Sequence, residues 1–476
     1  MSVIKIKNPR TGDHDYEIMP PSEKELKAVA GRLREAQPAW HAMGPEKRGA
    51  VLLKFADAIA RHREELVACL ANDTGRHFIS AIEVDGSIGA IKRWAAAARG
   101  LIEGAKETGQ SAAMPHLAFK TNVRPYALVG CISPWNFPLT LSLIDAIPAL
   151  MAGCAVLLKP SEVTSRFAAP LQGALTEVPE LEAVFDIVLG GGETGAQLVT
   201  SVDAVCFTGS VATGRKVGAA AAAAFIPAFL ELGGKDPAIV LPSADIDRAT
   251  TALLRGSIAN TGQACQSIER IYVHADIADA FEAQLVEKAN AVTLNTQDMS
   301  HGQIGPFIFD QQAEIVEAQI EDAKAKGARV LAGGALEDHG GKWLRPTVLA
   351  DVTPDMALMT QETFGPVLPL TRFDDLEAAI SMANESAYGL SAAVFAGTAE
   401  EAQEVAARLD VGAVSINDAS LTSMMHEAEK NSFKLSGLGA SRMGASGLTR
   451  FLRKQAILIN EGAVTPIAAF DEANAG

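Results

Sequence analysis

Two reactive side chains sit among small residues: Glu231 in Glu231-Leu232-Gly233-Gly234-Lys235, and Cys265 in Asn260-Thr261-Gly262-Gln263-Ala264-Cys265. A thiol can add to a carbonyl, and a carboxylate can then activate water to hydrolyse the adduct. Addition creates an oxyanion that needs aimed donors. The Asn136 amide in Pro134-Trp135-Asn136-Phe137-Pro138 and the backbone N–H of Cys265 can supply them. Each residue also has an ordinary reading. A lone cysteine is usually inert core, as Cys69, Cys131, Cys154 and Cys206 are read in their apolar surroundings. Asn136 fits a turn before Phe137-Pro138, and Glu231 a strand-end carboxylate paired with Lys235. As a general base, Glu231 needs an apolar setting such as Phe229, Leu230 and Leu232 to raise its pKa.

Nucleotide recognition has three candidates. Gly190-Gly191-Gly192-Glu193-Thr194-Gly195 matches G-x-G-x-x-G, but no acidic residue ends a second strand about 20 residues later. It reads better as a glycine-rich turn. Gly209-Ser210-Val211-Ala212-Thr213-Gly214, between a strand and a helix, offers backbone amides at a helix N-terminus to a pyrophosphate, although Ser210 serves equally as an N-cap. Lys159 and Glu162 follow a strand, where parallel sheets bind ligands. A carboxylate accepts from ribose hydroxyls and repels a 2′-phosphate, so Glu162 favours NAD over NADP.

With these runs, Lys159-Pro160-Ser161-Glu162, Phe207-Thr208-Gly209-Ser210 and Glu362-Thr363-Phe364-Gly365-Pro366-Val367 complete six motifs whose order and spacing resemble the aldehyde dehydrogenase superfamily over nearly the whole chain. The resemblance implies a Rossmann-like cofactor domain, an α/β catalytic domain and a small β bridging element that pairs subunits. It implies oxidation of an aldehyde through a Cys265 hemithioacetal and thioester, with Asn136 as oxyanion donor, Glu231 as general base and Lys159 in a second role near the site. The implied cofactor set is Trp135, Lys159, Ser161, Glu162, Gly209, Ser210, Gly214, Leu232, Glu362 and Phe364. Lys159 and Glu162 would meet the adenosine ribose and Glu362 the nicotinamide ribose, with Phe364 near the ring. Relatives that pass the acyl group to coenzyme A or phosphate generally lack the glutamate found at 231, which favours hydrolysis over a coenzyme A-acylating semialdehyde dehydrogenase. A non-catalytic binding protein on the same fold would not need Cys265, Glu231 and Asn136 together.

The chain departs from the family where Pro-Phe-Gly-Gly is common. Glu429-Lys430-Asn431-Ser432 stands there, before Phe433-Lys434-Leu435-Ser436-Gly437. The preceding loop, Asn417 to Glu429, carries Met424, Met425, His426 and Glu427 and borders the substrate entrance in similar enzymes, so borrowed specificity is in doubt. Phe137, Leu141, Ile144, Ala264 and Gln266, placed by proximity to Asn136 and Cys265, join Met424 as candidate substrate residues. The set is mainly apolar. It favours medium aliphatic or aromatic aldehydes over a carboxylated one such as succinic semialdehyde, and Arg270 reads as a structural charge or an anchor.

The elements that must position these residues follow from periodicity. Ser22 to Trp40, Pro45 to Ala71 and Ala81 to Gly104 have helical spacing. From Tyr126, short apolar strands (127–132, 155–158, 185–189, 204–207) alternate with helices, which predicts a parallel sheet. A second alternating region follows Lys235. The expected division is a cofactor domain (1–115 and 125–233), a catalytic domain (234–435) and a bridging element (116–124 and 451–476) serving a homodimer or homotetramer.

Composition narrows the classes. A chain of 476 residues predicts two or three domains, and no apolar run approaches the roughly 20 residues of a membrane span. No secretory leader is read at the start, so a soluble, cytoplasmic protein is expected. A net charge of −16 disfavours nucleic acid. Five cysteines without close pairs suggest a reducing compartment, and nine histidines without close pairing predict no metal.

Overall fold

The computed structural model describes residues 2–474; Met1, Ala475 and Gly476, the ends of the expected ranges, lie outside the described residues. The fold is mixed α/β, built on two large sheets. The first runs, edge to edge, Gly437–Leu438, Ala228–Glu231, Ala204–Thr208, Leu128–Ile132, Ala155–Lys159 and Phe185–Ile187. Four of its five neighbouring pairs are parallel, and only Gly437–Leu438 pairs antiparallel, opposite Leu230 and Glu231. Ala155–Lys159 and Ala204–Thr208 are buried at every position, as expected of strands covered on both faces. Helices Pro138–Ala152 and Val211–Ala223 are two of the crossovers.

The N-terminal helices close one face of this sheet by polar as well as apolar contact. Trp40 Nε1 donates to Leu150 O (2.9 Å), Gln37 Nε2 to Gly153 O (2.7 Å) and Arg48 Nε to Met151 O (3.1 Å), satisfying the buried end of helix Pro138–Ala152. The expected helix from Pro45 to Ala71 is two helices, Gly44–Arg61 and Arg63–Thr74. His62, at ψ 9°, makes the break, and its Nε2 lies 2.8 Å from Glu177. Helix His77–Gly104 begins four positions before the expected Ala81.

The second sheet has seven strands, in the order Arg329–Ala332, Thr347–Ala350, Val367–Phe373, Ile268–His274, Asp236–Val240, Ser391–Phe395 and Ala413–Ile416. All neighbours are parallel except the first pair. One apolar cluster gathers residues from Leu26 to Leu232 with Leu448 and Phe451, while two others draw on residues from Ala238 to Ala419. The core therefore changes over at Gly233–Lys235, between Glu231 and Cys265.

A separate three-stranded sheet joins Thr108–Gln110, Leu117–Pro125 and Leu452–Asn460, the last two in register from Leu452 opposite Pro125 to Asn460 opposite Leu117. Two short hairpins, Ile4–Lys7 with His14–Ile18 and Leu336–Asp338 with Lys342–Leu344, were not legible in the periodicity. Among the described residues no helix is long and apolar enough to cross a membrane, and no group of three His, Cys, Asp or Glu could hold a metal.

Candidate active site

A cleft of about 530 Å³ opens between the two sheets. Pro134, Trp135, Asn136 and Leu141 line it from the turn and helix after Leu128–Ile132, and Thr208, Gly209 and Ser210 from the end of Ala204–Thr208. Cys265, Glu362 and Phe364 face them from the other side, with Leu232 and Gly233 between.

The loop presenting Cys265 is tightly wound. Asn260, Thr261 and Gly262 have φ of 59°, 60° and 70°, a costly run for the two residues with side chains. Hydrogen bonds hold it: Gln263 Nε2 donates to Asn260 O (3.1 Å), Gln263 Oε1 accepts from Ile308 N (2.9 Å), and Ser267 Oγ donates to Gly262 O (3.0 Å). At Gly262 a Cβ would fall 2.2 Å from the carbonyl carbon of Gly365, so only glycine fits. Asn136 belongs to the same network. Its Nδ2 donates to Gln263 O (3.0 Å), and its own carbonyl accepts from Asn260 Nδ2 (3.0 Å). One amide hydrogen of Asn136 is thus anchored near the thiol loop.

Burial pushes the Cys265 thiol up to about 12, with Asp236 and Glu362 adding to the rise and Lys430 and Arg442 opposing it. The resting thiol is therefore protonated at neutral pH. Glu231 ends its strand with its carboxylate turned toward polar donors: Ser432 Oγ donates to Oε2 (2.8 Å), and Arg442 Nε lies 4.0 Å from Oε1. This corrects two expectations. Phe229, Leu230 and Leu232 do not form an apolar box around the carboxylate, because the loop after Glu429 brings a hydroxyl and a guanidinium to it. Lys235 is not its partner either; fully buried, it donates to Glu269 Oε2 (2.8 Å) and Thr363 Oγ1 (2.7 Å).

The same Glu269 shapes the far wall of the cleft. Its two oxygens accept the backbone N–H groups of Thr363 and Phe364 (both 2.7 Å), fixing Phe364 at φ 54° with its ring 5.3 Å from that of Trp135. Glu362 accepts from Gly234 N (3.0 Å), and burial, reinforced by Glu269, pushes its carboxyl up to about 8.

The residues proposed for a dinucleotide lie along the ends of the parallel strands. Ser210 Oγ caps helix Val211–Ala223 by accepting from Thr213 N (3.3 Å), as its N-cap reading expects, and Ser210 also lines the cleft. Gly214 lets that helix pack on Leu232, where a Cβ would meet Leu232 Cδ2 at 2.5 Å. Lys159 Nζ, nearly buried, contacts Glu162 Oε2 (3.3 Å) and donates to Pro160 O (3.1 Å), and burial lowers its pKa. Ser161 Oγ accepts from Val163 N (3.3 Å). Gly191 caps helix Gly192–Val199, consistent with a turn. A cationic and a carboxylate side chain at one strand end, and a capped helix N-terminus at another, fit the ribose and pyrophosphate of a dinucleotide.

Among the substrate candidates, Leu141 lines the cleft, whereas Phe137, Ile144 and Ala264 are half-buried beside it. Gln266 is tied to the following loop through Thr422 Oγ1 and through its carbonyl, which accepts from Ser420 Oγ (2.9 Å). Met424 is 56% exposed on that loop. Arg270 is a structural charge: its guanidinium donates to the carbonyls of Lys235, Met382 and Ala383. Sequence reasoning missed Ser432, Lys430, Arg442 and Asp236 as neighbours of the reactive pair. Only the unusual run Glu429–Ser432 hinted at two of them. Nothing marked Arg442, whose partner Asp145 is 297 residues away.

The family model described as "Aldehyde dehydrogenase family" matches residues 2–457. A "Betaine aldehyde dehydrogenase" of Cereibacter sphaeroides is 35% identical over 465 residues, covering 97% of this chain and 94% of its own. A "Putative succinate-semialdehyde dehydrogenase [NADP(+)] 2" of Mycobacterium ulcerans is 35% identical over 440 residues, covering 91% and 84%. The solved structure of "Putative Aldehyde Dehydrogenase PutA" from Anabaena variabilis superposes with a TM-score of 0.95 at 52% identity, covering 99% of this chain and 100% of its own.

Proposed function

Because the chain belongs to the aldehyde dehydrogenase family, whose members are NAD(P)-dependent enzymes, we propose that it oxidises an aldehyde to the free carboxylic acid with NAD, using Cys265 as nucleophile and Glu231 as general base. The observation that carries this reading is the shared cleft, in which the thiol and the Asn136 amide meet Trp135, Gly209, Ser210, Leu232, Glu362 and Phe364 of the dinucleotide set. The Cys265 sulfur, once deprotonated, attacks the aldehyde carbon. The oxygen that becomes negative is met by the Asn136 amide and the Cys265 backbone N–H. A bound dinucleotide, which Lys159, Glu162, Ser210 and Glu362 would hold, would supply the hydride acceptor that turns the Cys265 hemithioacetal into a thioester. Glu231 then takes a proton from water as its oxygen attacks the thioester carbon; the C–S bond breaks, the thiolate leaves and the acid departs.

Glu162, at the end of Ala155–Lys159, supports NAD over NADP through repulsion of a 2′-phosphate, although one named relative carries NADP(+) in its name. The apolar Leu141 and the absence of a free arginine from the cleft lining support medium aliphatic or aromatic aldehydes. The division into 1–115 with 125–233, 234–435, and 116–124 with 451–476 is supported by the change of core at Gly233–Lys235 and by the separate three-stranded sheet. That sheet is proposed to pair subunits, in a dimer or tetramer, and five free cysteines support a reducing, cytoplasmic setting.

The test is reduction of NAD or NADP across short, long, aromatic and carboxylated aldehydes, with Cys265→Ala and Glu231→Gln beside the wild type. We expect turnover with NAD that vanishes in Cys265→Ala. Preference for an ω-carboxylated aldehyde would overturn the substrate class, and undiminished activity of Cys265→Ala would overturn the mechanism.

A further inference from the structure

We infer that Ser432 and Arg442 form a clamp that positions the Glu231 carboxylate for thioester hydrolysis, an inference that rests on the base role proposed for Glu231. The pairing of Gly437 opposite Glu231 and the bond from Leu232 N to Ser436 O (2.8 Å) lay segment 432–442 across the edge of the six-stranded sheet. Its two ends therefore reach Glu231 together. Ser432 meets Oε2, and the Arg442 Nε–H faces Oε1.

The approach depends on two glycines. At Gly412 a Cβ would lie 1.7 Å from Asn431 O, and at Gly437 another would lie 2.6 Å from Ser432 Cβ. The segment that replaces the family's usual run is thus wedged in place and not loosely draped. Arg442 is equally fixed: Nη2 donates to Asp145 Oδ2 (2.9 Å) and to Thr208 Oγ1, on the wall of the cleft. Its Nε is buried and has no hydrogen-bond partner, leaving Glu231 as the carboxylate it faces. Asp145 is shared with Arg450, which also stacks on Phe229 and Phe451. Two arginines against one aspartate leave one positive charge over, and it lies on the side of Glu231. The Ser432 hydroxyl and the Arg442 guanidinium are both donors, so they meet the carboxylate as an acceptor, the form able to take a proton from water.

Ser432 and Arg442 are positioning residues; loss of Ser432 should register in the deacylation step alone, and loss of Arg442 mainly there. The probe is p-nitrophenyl acetate with the full-length enzyme. The Cys265 sulfur takes the acetyl group as nitrophenolate leaves, and water then releases acetate with its proton passing to Glu231. In Ser432→Ala we expect the nitrophenolate burst to persist while steady turnover falls by about tenfold, with acetylated enzyme accumulating in the intact mass spectrum. Arg442→Gln should lower steady turnover in the same way, with a modestly slower burst because its charge also favours the Cys265 thiolate, and Arg442→Lys should recover part of the turnover. Unchanged steady turnover in Ser432→Ala, or burst and turnover falling together, would overturn the clamp. If Arg442→Gln does not fold, Ser432→Ala decides, because among the described residues Ser432 bonds only Glu231 through its side chain. Glu231→Gln separates the two readings: normal turnover there sinks the base role itself.

Discussion

The thiol at the centre of the cleft is governed by opposing charges at residues far apart in sequence. Burial, Asp236 and Glu362 raise its pKa, while Lys430 and Arg442 lower it. The signs give a direct test by iodoacetamide alkylation of Cys265 at neutral pH, followed by mass spectrometry. Thiolate is the reactive species, so removing a cation should slow the reaction and removing an anion should speed it. Lys430→Gln is expected to slow alkylation by a few-fold at neutral pH, and Glu362→Gln to accelerate it only above about pH 8, where that carboxyl ionises. For the wild type the rate should keep rising with pH through the whole neutral range, because burial pushes the thiol up to about 12. A plateau below pH 8 would contradict that burial. The candidates Cys265, Asn136 and Glu231 were readable because motif residues adjoin them. Lys430 was not, since its influence depends on a loop returning to a cysteine 165 positions earlier.

Among the elements, the strand-to-loop junctions do most of the positioning. The fully buried Lys235–Glu269 pair ties the loop after Glu231 to the backbone of Thr363 and Phe364, and so sets the distance between the two walls of the cleft. Breaking such a pair leaves an uncompensated buried charge at a cost of about 3–5 kcal/mol. Glu269→Gln should therefore lower the unfolding temperature markedly and weaken NAD binding, whereas the exposed pair Lys27–Glu23 should tolerate Lys27→Gln with little change. Calorimetry of both variants checks the contrast. A tighter steric case is Gly234, where a Cβ would lie 2.3 Å from Cys265 O. Gly234→Ala is expected to displace the thiol loop and abolish turnover. Periodicity located most strands and helices to within a few residues, but it ran through the break at His62. At that break His62 meets Glu177, a contact that no local window contains.

For the molecule as a whole, the sheet Thr108–Gln110, Leu117–Pro125 and Leu452–Asn460 stands apart from both large sheets and exposes Ile457, Leu458 and Ile459 at 44%, 79% and 44%. Three consecutive apolar residues on an edge strand are a surface that another chain would cover. If subunits pair there, Leu458→Asp should shift sedimentation toward the monomer while the fold is kept; an unchanged species would place the interface elsewhere. At this scale the division of labour between sequence and tertiary structure is clear. The reactive side chains, the alternation of strands and helices, and the family were set by local runs, because glycine-rich turns and apolar periodicity are short-range properties. The environment of Glu231, the partner of Lys235, the structural role of Arg270 and the charge balance around Cys265 were decided only by folding. Each depends on groups brought together across the change of core or across the edge of a sheet, and burial gives such long-range pairings their electrostatic strength.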